Sequence, residues 1–311
     1  MAISGDRVFG IVSAVVAATA AVILAITAYT LVTGSSLIVQ SEGLDFFTGI
    51  KWNPAVGHEI YGALPYLEGT LVTSAIALII GVPLSLGIAI FLAEMSPSTV
   101  RVPISYLVEL LAAVPSVIYG LWGLFVFRFY VRDYLEVPLN KYPGWIPSFS
   151  GTPYGLDVLT AGLILAIMII PTVSSISREV LRAVPNPIRE GAYSIGATRW
   201  EVVSKWVLSY GRSGIFGAAI LGLGRAVGET MAVTMVIGNT VGPAAVPTSL
   251  LKGSQTMASL IASNVRDSSS PLSFSAYIGV GLMLMILGLA INVVAQLMVT
   301  RLFKVKGGAV E

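Results

Sequence analysis

The sequence predicts an all-α integral membrane protein with six transmembrane helices. Of its 311 residues, 55% are hydrophobic and 11% are charged, whereas about 25% of the residues in an ordinary soluble domain are charged. Six apolar stretches are long enough to cross a hydrocarbon core of about 30 Å, which takes roughly 20 residues. We place these spans at about 9–33, 69–94, 104–130, 157–177, 213–238 and 275–301.

The first apolar stretch is predicted to be a permanent span. It follows Asp6 and Arg7 and continues for about 25 residues, whereas the apolar core of a signal peptide has roughly 7–15. The chain contains no cysteine, which excludes disulfide bonds and thiolate metal sites.

The distribution of positive charge predicts the orientation in the membrane. If the N-terminus is cytoplasmic, the inner segments carry eleven Lys and Arg residues and the outer segments carry five. The positive-inside rule favours this arrangement. Both termini and the segment 178–212 are therefore predicted to be cytoplasmic, and three outer segments rich in Gly, Pro, Ser and Thr lie at about 34–68, 131–156 and 239–274.

A polar stretch before the fifth span predicts a helix–turn–helix elbow. Asn186 with the following proline is typical of a helix start, and Gly196 is typical of a left-handed helix end. Thr198 and Glu201 form a T-x-x-E capping box that begins the second helix. Helical spacing puts one apolar stripe on each helix, formed by Ile188, Ala192 and Ile195 and by Trp200, Val203 and Val207.

Two interpretations of this elbow remain open from the residues alone. It is either an amphipathic hairpin on the lipid surface or a surface that meets a soluble partner. Arg and Lys on the polar face suit a lipid surface, whereas Glu190 and Glu201 suit it less well.

Three charged residues inside the predicted spans are candidates for a substrate path: Glu109, Arg225 and Glu229. A charge at mid-membrane costs about 2.5–3.5 kcal/mol on insertion scales, so such residues face protein or water. Arg225 and Glu229 are spaced i, i+4, so they are predicted to lie on one helical face and to neutralise each other. The pair is either structural or lines an anion path, since a guanidinium matches phosphate oxygens. On the hypothesis of an anion path, Glu229 holds Arg225 while the path is empty and yields it to the passing anion. For Glu109, a structural hydrogen bond and a direct role both remain open.

The elbow resembles the EAA loop of ABC-importer permeases, the element that sits in a cleft of the ATPase subunit. The resemblance rests on Glu190, Gly191 and Ala192, followed after three residues by Gly196. Two positions depart from the family pattern, because Gly191 replaces the usual alanine and Ser209 stands where a proline normally ends the motif.

Longer segments resemble one family of these permeases, the PstC subunits of ABC phosphate importers. They are AVPSVIYGLWGLFVF (113–127), SREVLRAVPNPIREGAYSIGATRW (177–200), GLGRAVGETMAVTMVIGN (222–239) and FFTGIKWNP (46–54). The resemblance implies a single type I permease domain over 1–311, coupled through its cytoplasmic loop 178–212. It assigns the coupling role to Glu190, Gly191, Ala192, Gly196, Thr198 and Arg199.

The same resemblance implies the partners. These are a PstA-like second permease, a PstB-like ATPase dimer that holds ATP and Mg²⁺, and a PstS-like external phosphate-binding protein. The complex would lie in the plasma membrane of a prokaryote, in contact with lipid, and we expect no cofactor on this chain and no nucleic-acid partner.

Other functional classes lack their sequence signals. The chain has no G-x-x-x-x-G-K-[ST] loop to cradle ATP, no H-E-x-x-H metal motif and no G-x-S-x-G nucleophile elbow, so we expect neither a catalytic nor a metal site. A permease for sulfate or molybdate remains an alternative, since those importers share the EAA loop. A stand-alone channel or secondary transporter is a further alternative, although no inverted repeat is evident.

Overall fold

We describe the chain from a computed structural model, which covers residues 5–141 and 147–302. In these ranges, five helical stretches are long and apolar enough to cross a membrane, and one bent pair of helices makes a sixth. They are Val8–Glu42, Leu64–Met95, Ser98–Ala113 with Ser116–Lys141, Val158–Arg182, Arg199–Gly228 and Pro271–Arg301. The predicted all-α membrane architecture is confirmed. The predicted domain over 1–311 and its cytoplasmic termini fall partly on residues outside the described ranges.

The α-helices are numbered in chain order. They are α1 Gly5–Gly34, α2 Ser36–Glu42, α3 Asp45–Thr48, α4 Leu64–Ile90, α5 Ser98–Ala113, α6 Ser116–Trp122, α7 Arg128–Val131, α8 Val137–Lys141, α9 Val158–Arg182, α10 Asn186–Ser194, α11 Arg199–Glu201, α12 Leu208–Gly228, α13 Met231–Val236, α14 Met257–Asn264 and α15 Pro271–Leu302. Four π-helical stretches, which have wider turns, extend α4, α6, α7 and α11: Phe91–Met95, Gly123–Phe127, Arg132–Glu136 and Val202–Val207. Three short 3₁₀ turns, Pro147–Phe149, Gly242–Ala245 and Val265–Asp267, lie in the connecting segments.

Helix α9 is the centre of the bundle. Its side chains Ile164, Leu165, Met168 and Ile169 are buried, and it packs along α4 and against α12. Because lipid is as apolar as these side chains, close packing between helices, more than the hydrophobic effect, holds them together. Helix α9 is therefore the central helix on which α4 and α12 pack.

The third predicted span, 104–130, is not one continuous helix. Helices α5 and α6 meet at an angle of 92°, with extended backbone at Val114 and Pro115 between them. Proline has no N–H to continue the helical hydrogen bonds. The Tyr119 hydroxyl donates to the carbonyl of Leu111 across the break, at 2.9 Å. This bond adds to the longer one, at 3.4 Å, that the same carbonyl accepts from the N–H of Val114.

The fifth predicted span, 213–238, is also interrupted, and this corrects a prediction about its charges. Glu229 has extended backbone, with φ −70° and ψ 125°, and ends α12. Arg225 and Glu229 are therefore not on one helical face, and no ion pair joins them in the described part of the chain. Glu229 instead accepts a hydrogen bond from the backbone N–H of Ala232 at 3.3 Å, which satisfies a donor in the first turn of α13.

The outer segments are folded to a greater extent than their composition predicts. The segment 34–68 contains α2, α3 and an antiparallel hairpin of β1 (Trp52–Asn53) and β2 (Ile60–Tyr61), in which Trp52 pairs with Tyr61. Trp52 packs edge-on against Tyr61 and Tyr66 and also contacts Tyr277 of α15. This aromatic cluster ties the first outer segment to the second and last spans.

Candidate functional site

The elbow predicted from sequence is present and links α9 to α12. Helix α10 ends at the turn around Gly196, whose φ of +84° lies in the left-handed region that a residue with a Cβ rarely adopts. Thr198 and Glu201 form the predicted capping box, in which each side chain accepts a backbone N–H of the other residue. Asn186 does not cap α10, because Pro185 occupies the N-cap position and makes no side-chain bond there.

The elbow is anchored to the π-helical stretch Phe91–Met95, which extends α4, by a buried ion pair that the sequence did not predict. Arg189 of α10 binds the carboxylate of Glu94 through two nitrogens, at 2.6 and 3.3 Å, and also donates to the carbonyl of Leu181 at 2.8 Å. Arg199 donates to the backbone carbonyl of Glu94. The side chains of Arg189 and Glu94 are only 17% and 11% exposed, so a buried pair ties the elbow to the end of the second span.

The apolar stripes of the elbow are only partly buried. Ala192, Val203 and Val207 are buried, as predicted, and Ala192 and Val207 pack with the ends of α4 and α9. Ile195 and Trp200, which were assigned to the same stripes, are 73% and 60% exposed, because the turn at Gly196 directs them away from the bundle. They are therefore available to a partner, together with the exposed Glu190 and Tyr193.

The two departures from the EAA pattern leave the elbow intact. A Cβ built on Gly191 meets no atom within 4 Å, so an alanine at this position would cause no clash. Ser209 is exposed in the first turn of α12, and the π-helical stretch Val202–Val207 passes into α12 without the usual proline.

The predicted path residues do not form one cluster. Arg225 is half-buried on α12 and donates to the hydroxyl of Thr172 on α9 at 3.1 Å. Glu109 lies elsewhere, 57% exposed on α5, with a carboxylate oxygen 3.7 Å from a guanidinium nitrogen of Arg178. Among the described residues, Arg225 makes no contact with Glu109 or Glu229 that could join them in one site.

A second buried group is an acid pair at the opposite end of α9 from the elbow. Glu136 and Asp157 are 0% and 2% exposed. Glu136 accepts hydrogen bonds from the N–H of Gly155 at 2.9 Å and the hydroxyl of Thr160 at 3.3 Å. Asp157 caps α9 by accepting the N–H of Thr160 at 2.8 Å. Burial, and then the neighbouring Glu136 carboxylate, raise the pKa of Asp157 well above its usual value.

The acid pair predicts a pH dependence of stability. A raised native pKa means that the folded chain binds the proton more tightly than the unfolded chain, so stability falls as the pH rises from the ordinary Asp pKa of 3.8 toward the raised value. Asp157→Asn keeps the N-cap acceptor and should flatten this dependence. The measurement is thermal unfolding of the assembled protein at about pH 5.5 and about pH 8.5.

The control is Asp133→Asn, which removes an exposed acid from the same region and should leave the pH dependence as in the unsubstituted protein. Equal pH dependence in Asp157→Asn and in the unsubstituted protein would contradict the assignment. No sequence signal pointed to this pair, because Glu136 lies in the predicted outer segment 131–156, Asp157 begins the predicted span 157–177, and the two acids share no regular spacing.

None of the described residues form a group of three or more His, Asp and Glu side chains suited to a metal ion. The candidate site therefore consists of an elbow with exposed side chains and, separately on α12, a half-buried Arg225.

Comparison with known proteins identifies the family. Residues 81–304 match the family model of the binding-protein-dependent transport system inner membrane component. The phosphate transport system permease protein PstC of Xylella fastidiosa is 44% identical over 297 residues, which are 94% of this chain and 90% of that protein. The PstC proteins of Haemophilus influenzae and Mesorhizobium japonicum are 43% and 41% identical, over 92% and 96% of this chain and 90% of each relative.

Solved structures with a similar fold are also ABC transporters. A bacterial alginate ABC transporter, in complex with its pentasaccharide-bound periplasmic protein, matches with a TM-score of 0.63 at 15% identity, over 94% of this chain and 95% of that one. The inward-facing MetNI methionine transporter matches with a TM-score of 0.51 at 17% identity, over 77% and 93%. At these identities the match shows the fold alone. This chain belongs to the binding-protein-dependent transport system inner membrane components, in the family of its PstC relatives.

Proposed function

We propose that this chain is the PstC-type permease subunit of an ATP-driven importer of inorganic phosphate. The observation that carries the proposal is identity of 41–44% to phosphate transport permeases over nearly the whole chain. The elbow with its left-handed Gly196 supports coupling to a separate ATPase, and the half-buried Arg225 supports an anionic substrate. We place the complex in the plasma membrane of a prokaryote, with the elbow in the cytoplasm.

The proposed complex contains a PstA-like second permease, a PstB-like ATPase dimer with ATP and Mg²⁺, and a PstS-like external phosphate-binding protein. A stripe of glycines on α12 supports the second permease. A Cβ built on Gly217, Gly224 or Gly228 meets no atom of this chain within 4 Å, so this face is open to close approach by another helix. We assign the exposed parts of the outer segments to contact with the external binding protein.

We propose that coupling runs through the elbow into three helices. Glu190, Gly191 and Ala192, with Gly196, Thr198 and Arg199, form the part that meets the ATPase. The elbow is connected to three long helices: it follows α9, it leads into α12, and Arg189 binds Glu94 just beyond the end of α4. Closure of the ATPase dimer would therefore move α4, α9 and α12 together. Their joint rotation would open the path to the cytoplasm, in the manner of rigid elements that rock between two arrangements.

Arg225 is the proposed anion-contacting residue of the path. Thr172 occupies one guanidinium nitrogen, so the other donors of the planar fork are available for phosphate oxygens. Glu229 cannot hold Arg225 in the empty state, as its spacing had suggested, because Glu229 ends α12. A conduit needs weak binding, since a tight site would not release its ion.

Removing the Arg225 charge should reduce transport strongly. Arg225→Gln loses a charge-assisted contact, worth about 1.5–3 kcal/mol, and should lower ATP-dependent phosphate uptake by roughly ten- to a hundredfold. Thr172→Val keeps the charge and loses only its orientation, so the reduction should be smaller. Uptake by reconstituted complexes of equal subunit content is the measurement. Unchanged uptake in Arg225→Gln would remove this residue from the path.

The substrate and the energy source are tested by one experiment. The chain is co-expressed with its neighbouring partner genes, the complex is reconstituted in vesicles, and uptake of labelled phosphate is measured with sulfate and molybdate as competitors. Phosphate-selective uptake that needs ATP would support the proposal. Competition by sulfate or molybdate would keep the ABC permease and overturn the substrate, and flux without ATP would favour a stand-alone channel or secondary transporter.

A further inference from the structure

A cationic pocket lies between α5 and α9, near the elbow end of the bundle. We call it the arginine pocket, and we define it by Arg101, Ser105 and Glu109 on α5 and by Arg178 and Arg182 on α9. Its volume is about 310 Å³. The α5 residues are spaced i, i+4, i+8 and the α9 residues i, i+4, so each helix presents one face to the pocket. Neither the elbow nor the Arg225 site uses these arginines.

Arg178 has donors without partners although its side chain is only 13% exposed. One terminal nitrogen donates to the Ser105 hydroxyl at 2.7 Å. The other lies 3.7 Å from Glu109 and 3.6 Å from Glu179, which is beyond hydrogen-bond distance. Its Nε is buried and has no hydrogen-bond partner in the described chain. A buried guanidinium with unmet donors indicates a site that an acceptor group would complete.

The other two arginines also keep donors available. Arg101 uses Nε and one terminal nitrogen to bind Ser96, at 3.3 and 2.9 Å, which holds the side chain in place and leaves its second terminal nitrogen. Arg182 is exposed and forms no ion pair with any described residue. Three guanidinium groups thus line the pocket, against the Glu109 carboxylate in its lining and the exposed Glu179 carboxylate beside Arg178. The positive charges exceed the negative ones, so the pocket attracts anions.

On α5, the residues beside the arginines of the pocket are apolar and exposed. Val102 and Tyr106 line it and are 52% and 63% exposed. Basic pockets between membrane helices on the cytoplasmic side are typical sites for anionic lipid headgroups. Guanidinium groups match the oxygens of a phosphate group bidentately.

We propose that the arginine pocket binds a phosphate group. Two sources offer this chemistry: the headgroup of an anionic phospholipid, whose acyl chains would lie along Val102 and Tyr106, and free inorganic phosphate. The pocket is separate from Arg225, and the proposal does not rest on the proposed transport function.

The test measures binding rather than transport. The permease–ATPase complex is purified without the external binding protein, or the full chain alone if no complex forms, and is placed in nanodiscs of phosphatidylcholine with or without phosphatidylglycerol. Native mass spectrometry counts the phosphatidylglycerol molecules that remain bound after delipidation. A titration with labelled inorganic phosphate in phosphatidylcholine discs, carried out in the Arg225→Gln background, measures the second source.

The variants are Arg182→Gln and Arg101→Gln, with Arg182→Lys as the conservative change. Lys205→Gln is the matched control, because Lys205 is an exposed base at the same end of the bundle that pairs with Glu201. Thermal unfolding of each variant checks that it is folded. Loss of one charge-assisted contact should weaken binding by about tenfold or more, with Arg182→Lys in between and Lys205→Gln unchanged.

Each outcome decides the proposal. Arginine-dependent retention of phosphatidylglycerol identifies the lipid headgroup as the ligand, and arginine-dependent phosphate binding in phosphatidylcholine discs identifies the free anion. If folded Arg182→Gln and Arg101→Gln proteins bind both probes as well as the unsubstituted protein does, or if neither probe binds, the proposal is wrong.

Discussion

Arg189→Met is expected to uncouple ATP hydrolysis from phosphate uptake. The substitution leaves the Glu94 carboxylate, 11% exposed, without its counter-charge, and it removes the hydrogen bond from Arg189 to the Leu181 carbonyl. Breaking a buried ion pair from one side costs about 3–5 kcal/mol. The elbow would then detach from α4, so uptake by the reconstituted complex should fall by at least an order of magnitude while ATP hydrolysis remains measurable.

Two comparison variants make this result specific. Glu94→Gln removes the charge but retains a polar group that can accept from Arg189, so we expect a milder loss. Lys205→Met breaks the exposed pair of the same elbow, whose lysine is 62% exposed, and exposed pairs contribute little. If uptake and ATP hydrolysis fell in parallel in Arg189→Met, the pair would support folding rather than coupling.

Gly196→Val is expected to have the second largest effect. With φ at +84° and no atom within 4 Å of a built Cβ, the substitution meets no steric neighbour, so its cost comes from the backbone alone. A β-branched residue in the left-handed region costs on the order of 1–3 kcal/mol. The turn would open and shift the surface that meets the ATPase, and the ratio of phosphate transported to ATP hydrolysed should fall severalfold.

Matched variants separate backbone strain from loss of a surface contact. Gly196→Asn should retain most of the coupling, because asparagine tolerates the left-handed region better than valine. Gly191→Ala adds the same first carbon five residues earlier, in open space on a helix, and should leave the ratio unchanged. Normal coupling in Gly196→Val would show that the left-handed turn is not needed for transmission.

The features predicted correctly from sequence are those that local spacing determines. The capping box and the turn at Gly196 depend on residues within a few positions of one another, and the apolar length of a span depends only on composition. The resemblance of the elbow to the EAA loop predicts in addition that an ATPase is its partner. These local signals are sufficient to predict the elbow between the fourth and fifth spans, where the structure has it.

The features that were missed depend on contacts between residues far apart in sequence, or on whether a proline breaks a helix or is tolerated within it. Glu94 and Arg189 are 95 positions apart, and a charge at the end of a span indicates only that the span ends. Three prolines lie within the predicted spans: Pro83 and Pro171 lie inside continuous helices, whereas Pro115 marks a break. The packing around each proline, which the sequence pattern does not contain, decides between a tolerated proline and a break.

The prediction for Arg225 and Glu229 was wrong because it assumed a continuous helix. Apolar residues continue from α12 into α13, so the hydropathy pattern alone gives no sign of an interruption. Gly228 and Thr230, on either side of Glu229, were a sequence signal for the interruption. Glycine and threonine both disfavour the interior of a helix. The role of Arg225 in the path stays a prediction, and the side chain that binds it is Thr172 rather than Glu229.

The two interrupted spans affect how this chain can exist in a bilayer. At each interruption the carbonyls that end one helix and the N–H groups that start the next have no helical partners, and lipid tails cannot supply them. Pro115 and Gly228, which flank the interruptions, are exposed in the isolated chain. Water in a pathway or a neighbouring subunit must therefore cover these sites. If a neighbouring subunit provides this cover, folding and assembly are linked equilibria for this chain, and its lifetime in the membrane should follow the amount of that subunit.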